Sequence, residues 1–157
     1  MTAKRVYFFS GTDYLRFDHP LDGVIPLVYP RAIAGNWTGV TGPVDAALNW
    51  GNGKVYFFSG STYVRYDTRV DAADAGYPRP ISPAWTDATS AHFGTGIDAA
   101  VNWGNGKAYL FKGGEYIRHD IAADTIDPGY PKPIKGNWGG VDGTVFESDL
   151  DATVNWG

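Results

Sequence analysis

The chain of 157 residues contains no cysteine, which excludes disulfides, thiolate chemistry and zinc–cysteine sites. It has no block of Lys or Arg, and its net charge is −4. No nucleic-acid partner and no membrane partner is therefore expected, since both favour concentrated positive charge. No apolar run is long enough for a transmembrane helix, and the N-terminus MTAKRVYFF lacks the apolar region of a signal peptide. As written, the chain is expected in the cytoplasm unless a leader has been removed or another export route serves it. A nucleophile–base pair, an HExxH, a phosphate loop and a carboxylate dyad are also missing, apart from residues that a repeat explains. An enzyme is not expected.

What the chain does have is apolar and aromatic. Hydrophobic residues make up 43% and aromatics 15%, with 21 Gly and 10 Pro. This composition argues for order, frequent turns and few long helices. The length fits one domain, 1–157, able to bury about two-thirds of the surface an unfolded chain exposes.

The stretch Asp98–Asp120, DAAVNWGNGKAYLFKGGEYIRHD, organises the rest. It stands again at Asp45–Asp67 as DAALNWGNGKVYFFSGSTYVRYD. Its second half opens the chain as RVYFFSGTDYLRFD from Arg5, and its first half closes it as DATVNWG from Asp151. Asp45, Asp98 and Asp151 lie 53 residues apart, as do Trp50, Trp103 and Trp156. The repeat units are about 2–44 plus 149–157, 45–96 and 97–148.

Each unit reads as short strands. The small residues of Asp-Ala-Ala-x-Asn-Trp suit a strand where several backbones crowd together. Asn52-Gly53 and Asn105-Gly106 between apolar runs are hairpin signals, so Gly-Asn-Gly-Lys is a turn and not a P-loop. Val-Tyr-Phe-Phe and Ala-Tyr-Leu-Phe are apolar on both sides and predict strands covered on both faces. Tyr63–Asp67 alternates more openly and is expected further out. The Pro-rich segment beyond it is confined to the outer edge, because Pro lacks the donor N–H, with a short turn of helix beneath Trp85 or Trp138. Three or four strands in about 50 residues fit a β-propeller blade. Pairing of Leu150–Trp156 beside Arg5–Phe9 would complete the first blade and close the ring; a truncated further blade is the alternative.

The pattern D-A-A-x-N-W-G-N-G-K-x-Y-x-F, then R-x-D, D-x-G-Y-P-x-P-I and a Trp, closely resembles the hemopexin-like repeat over nearly the whole chain. Asp74–Pro78 and Asp127–Pro131 carry its second half, whereas unit one has Val28 in place of the Gly before Tyr-Pro and its turn must differ. The resemblance implies an all-β fold, a small propeller around a narrow channel, here with three sequence blades where family members have four. The first blade would then be completed by the C-terminal strand or shared between chains. The three-unit cut also fits an engineered or fragment propeller.

The resemblance further implies a metal site in which innermost strands present backbone groups to the channel. Carried over, these are Asp45, Asp98 and Asp151, with Ala47, Ala100 and Thr153 two residues on. Residues two apart on a strand face the same way, so such groups would recur in layers along the axis. Three neutral carbonyls would need waters to satisfy Ca²⁺, and Na⁺ could substitute. The alternative role for each Asp is structural, its carboxylate bonding a neighbouring blade's backbone.

Other residues draw structural expectations. His19, His92 and His119 occupy unrelated repeat positions, so axial haem ligation is not expected. His119 replaces Tyr66 and reads as an outer-strand residue. Arg16/Asp18, Arg65/Asp67 and Arg118/Asp120 recur as R-x-D and read as structural pairs or ties to the outer loop. Asn36-Trp37-Thr38 is a sequon that reads as accidental. The expectation is a non-catalytic binding or scaffold module with ions in its channel. The resemblance extends to seed albumins, so a polyamine or another small cationic ligand is a further expectation. The alternative is a structural or self-assembling module, exchanging strands with itself through DATVNWG.

Overall fold

A computed structural model describes residues 4–19 and 28–155. Trp156, the third member of the Trp50/Trp103 series, lies outside the described residues, as does part of the irregular stretch of unit one. Strands form three antiparallel sheets, one per sequence unit. The first contains β1 (Lys4–Ser10), β2 (Asp13–His19) and β3 (Arg31–Ala32). The second runs β4 (Ala46–Asn49), β5 (Lys54–Ser59), β6 (Thr62–Asp67) and β7 (Ala72–Ala73), with β8 (Arg79–Pro80) also on β6. The third repeats this as β9 (Ala99–Asn102), β10 (Lys107–Lys112), β11 (Glu115–Asp120) and β12 (Thr125–Ile126), with β13 (Lys132–Pro133) on β11. The all-β fold of three repeated sheets expected from the repeat is what the chain adopts.

Turn chemistry explains the hairpins. Between β4 and β5 the turn is the four-residue Trp50–Gly53, and both Gly51 and Gly53 take positive φ, which glycine adopts without a Cβ clash. Asn49 Oδ1 accepts from Gly51 N at 2.9 Å and Asn52 Oδ1 from Lys54 N at 3.1 Å. The same bonds recur at Asn102 and Asn105. After the outermost strand each unit folds one turn in which a Trp N–H reaches back to an Ile carbonyl. These are Trp37 to Ile33 at 3.0 Å, Trp85 to Ile81 at 2.8 Å and Trp138 to Ile134 at 3.2 Å. The turn at Ile81–Ala84 is broken by Ser82, whose φ −89° and ψ 135° are extended, and a simple turn precedes Trp138.

The core lies between sheets. Tyr14, Ile33 and Trp37 of the first sheet pack with Phe57, Val64 and Tyr66 of the second. Leu48, Trp50 and Trp85 of the second pack with Ala108, Leu110 and Ile117 of the third. The second sheet therefore has one face toward the first sheet and one toward the third. Tyr63–Asp67 lies further out, as expected, since β6 is third from the centre, yet Tyr63, Val64 and Tyr66 are all buried despite the open alternation. Side-by-side packing covers both faces, which alternation on a single strand cannot show.

The C-terminal segment is the other departure. Among the described residues, 151–155 forms no ladder with β1. It is held by the third sheet instead. Asp149 N donates to Gly113 O, Leu150 packs on the third sheet's core, and Asn155 Nδ2 donates to Asn102 O at 3.3 Å and Trp103 O at 2.9 Å. Asn102 Nδ2 makes the same two bonds to Asn49 O and Trp50 O, both at 3.2 Å. The segment thus takes the next inner position beyond β9.

Candidate functional site: the central cleft

Among the described residues β4 pairs with β5 alone and β9 with β10 alone, so each leaves one row of backbone N–H and C=O groups on its other edge. These edges and the terminal segment surround a cleft of about 270 Å³. The six residues singled out from the sequence, Asp45, Asp98, Asp151, Ala47, Ala100 and Thr153, all line it. A second cleft of about 380 Å³ continues past Ala47, Ala100 and Thr153 to Asn49, Asn102 and Asn155.

Two of the aspartates are committed structurally. Asp45 Oδ2 accepts from Gly60 N at 2.6 Å, and Asp98 Oδ2 accepts from Gly113 N at 2.7 Å. Gly60 and Gly113 are the turns between each Asp's own β5–β6 or β10–β11 hairpin. The expected bond to a neighbouring blade is thus corrected to one within the blade, since the residue before the inner strand lies beside that blade's own second turn. Neutral backbone oxygen and water remain as the donors such a cleft could offer a hard cation. Among the described residues, no three His, Asp or Glu side chains gather as a metal cluster.

The outer side holds a charge network that reading the R-x-D motif alone misses. Lys54 Nζ reaches Asp67 Oδ2 at 2.7 Å and Asp74 at 2.9 Å, and Arg65 Nε also binds Asp74. Lys107, Arg118, Asp120 and Asp127 repeat it. The signal was available: Lys54 and Lys107, like Asp74 and Asp127, sit 53 residues apart. In unit one the sequence offers Pro26 where the others have Asp74 or Asp127. The lysine hydrogen bonds, aided by backbone N–H groups, hold Asp67 and Asp120 down at about 2. Arg65 and Arg118 also lie over the rings of Tyr77 and Tyr130 at 5.3 and 5.0 Å. R-x-D is thus a tie between the third strand and the outer loop.

His119 is deeper than an outer-strand residue should be. It is 1% exposed, faces Trp50 and Trp85, and shares a crevice of about 250 Å³ with Asp124. Its Nε2 lies 3.1 Å from Asp124 Oδ1, while Nδ1 is buried without a hydrogen-bond partner. Tyr66 holds the equivalent place and donates to Asp71 Oδ1 at 2.8 Å. Burial pulls the His119 pKa below its ordinary value, against the opposing pull of Asp124. Asn36 of the sequon donates to Ala32 O at 3.0 Å, as Asn137 does to Pro133 O, so its amide closes the outer turn.

Comparison with known proteins agrees with this architecture. The chain is similar to mouse matrix metalloproteinase-25, 41% identical over 63 residues, which are 40% of this chain and 9% of that protein. It thus spans a small part of the curated relatives it matches. A 2S albumin seed protein from Dolichos is 27% identical with a TM-score of 0.80, over 96% of this chain and 73% of the albumin. A Cicer arietinum lectin described as having two metal-binding sites is 26% identical with a TM-score of 0.61, over 84% of this chain and 60% of the lectin. The family model described as Hemopexin matches residues 2–40, 44–86 and 97–142. Three matched units, of which the second and third repeat the same turn and charge-network bonds, make this chain a member of the hemopexin family.

Proposed function

We propose that the chain is a non-catalytic binding module whose central cleft takes a small cation, Ca²⁺ or Na⁺, or the ammonium groups of a polyamine. The observation that carries the reading is the convergence of Asp45, Asp98, Asp151, Ala47, Ala100 and Thr153 on one cleft. Three carboxylates raise the negative potential at its mouth, and the net charge of −4 favours a cationic ligand. With Asp45 and Asp98 already bonded to backbone, backbone oxygen and water would supply the coordination, so binding is modest and Na⁺ competes with Ca²⁺. The lectin with two metal-binding sites supports this reading by similarity of fold.

The test is thermal unfolding of the intact chain with CaCl₂, NaCl or spermine. A ligand at a hundredfold excess over Kd adds about 2.7 kcal/mol. Ala47→Lys places a competing ammonium in the cleft at an exposed position and removes the shift. Melting that ignores all three ligands, or a shift that survives Ala47→Lys, refutes the cleft as the site. The alternative reading, a self-assembling structural module, is supported by a different observation, the inner-strand sequence of residues 151–155, which form no ladder among the described residues.

A further inference from the structure

The two joints between sheets are built alike except at one position. Where the first sheet meets the second, Tyr66 packs on Trp37 at 5.2 Å and its hydroxyl donates to Asp71 Oδ1 at 2.8 Å. Where the second meets the third, the equivalent residue, 53 on, is His119, with Trp50 at 5.6 Å and Trp85 at 5.1 Å. Asp124, 53 residues after Asp71, again supplies the carboxylate. The Tyr66 phenol is neutral in the physiological range, and burial pushes its pKa up further. An imidazole changes charge between about pH 5 and 8. Of these two equivalent positions, only the one in the second joint answers to a proton there.

The geometry around the ring sets the consequence. A carboxylate only accepts, so Nε2 carries the proton donated to Asp124 Oδ1 at 3.1 Å, and Nδ1 holds the lone pair. Nδ1 is buried without a hydrogen-bond partner, on a side chain that is 2% exposed. Protonation turns that atom into a charged donor with no acceptor beside it, between two tryptophans. Such a group is costly to keep buried.

The charges around His119 are mostly acidic. Asp120 on its own strand and Asp124 and Asp127 of the outer loop pull toward the imidazolium, while Lys107 and Arg118 are engaged by Asp120 and Asp127. From the second sheet the titratable neighbour is Tyr56, packed on Trp50 and Trp85. Beyond Trp85 it is Asp87, whose Oδ1 accepts from Thr89 and Ser90. The Asp124 side chain is 82% exposed, so it can follow a ring that moves toward water. Room for that movement adjoins the ring: His119 and Asp124 line the crevice of about 250 Å³ together with Pro83, Ala84 and Asp87, all exposed.

We infer that His119 is a proton-operated latch on the joint between the second and third sheets, docked against Trp50 and Trp85 when neutral and swung into the adjoining crevice when protonated. There the imidazolium keeps Asp124 and gives its second N–H to water. The joint borders the cleft, since Trp50 O accepts from Asn102 Nδ2 at 3.2 Å and Asn102 lines the cleft's further part.

Acrylamide quenching of tryptophan fluorescence on the intact chain reads whether Trp50 and Trp85 become accessible. The quenching constant should rise between about pH 7.5 and 5.5 with far-UV circular dichroism unchanged. His119→Tyr should hold it flat, whereas His19→Gln and His92→Gln should leave the rise in place. Asp67 and Asp120 stay ionised in this window, being held at about 2. Imidazole ¹⁵N NMR on the unsubstituted chain should find the His119 proton on Nε2 at pH 7.5, and its titration should coincide with the rise. Asp124→Asn, tolerated at φ +53, removes a carboxylate that favours the imidazolium and should move the midpoint to lower pH. A quenching constant that ignores pH, or a rise of equal size in His119→Tyr, overturns the proposal. So does a His119 that titrates without exposing the tryptophans.

Discussion

Replacing His119 with Tyr should stabilise this protein, and more so in mild acid. The structure supplies both the reason and the size. His119 is fully buried against Trp50 and Trp85, keeps one bond to Asp124 and leaves Nδ1 without a partner. A buried acceptor left unmade costs about 1–3 kcal/mol. Tyr66 shows what the site accepts: a ring 5.2 Å from Trp37 and a hydroxyl that donates to Asp71. The crevice beside His119 gives the larger ring room. His119→Tyr should therefore gain about 1–2 kcal/mol near pH 7.5, or roughly 2–8 °C in Tm at this chain length. Burial lowers the folded-state pKa of His119, so the histidine contributes most above its unfolded value near 6.5. Below that pH the unfolded chain takes up a proton that the folded chain resists, and stability falls toward the folded pKa. The advantage of Tyr should thus widen between pH 7.5 and 5.5. Urea titrations followed by tryptophan fluorescence at both pH values measure it. A gain of equal size at the two pH values, or a loss at pH 7.5, would refute the reasoning.

Two further perturbations probe the scaffold. Asp98→Ala strips the acceptor from Gly113 N–H and should cost about 1–2 kcal/mol in urea unfolding, with Asp45→Ala costing less because its bond to Gly60 is exposed; equal costs would contradict the assigned burial. The Lys54 and Lys107 hydrogen bonds depress Asp67 and Asp120 to about 2, so their contribution is complete above the unfolded value near 3.8 and is lost as pH falls toward 2. The urea midpoint should fall across that window, and Lys54→Met/Lys107→Met should flatten the fall; an unchanged slope would show that these lysines do not set it.

How far the sequence reaches can be judged residue by residue. The 53-residue spacing of Asp45, Asp98 and Asp151 reports the repeat directly, because each unit must satisfy the same backbone bonds with the same side chains. The Asn-Gly turns and the outer-edge prolines were legible for that reason, since local turn geometry depends on neighbours in the chain; the six cleft residues were legible only through the resemblance to the hemopexin-like repeat. The charge network at Lys54 and Asp74 recurs just as regularly, but its partners lie 20 residues apart and meet only once the outer loop folds back on the third strand.

The sequence by itself determined the units and their strands, and its resemblance to a known repeat pointed to the residues facing the centre. Tertiary structure alone decided the burial of Tyr63, Val64 and Tyr66, the depth of His119 and the place of the terminal segment. Burial of a strand's second face depends on the sheet packed against it. Likewise, 151–155 carries the text of an inner strand whether or not it finds an edge. Among the described residues it forms no ladder with β1, and Asn155 bonds to Asn102 and Trp103 of the third sheet. Pattern specifies which surfaces can pair, and the packing angle between sheets decides which of them meet.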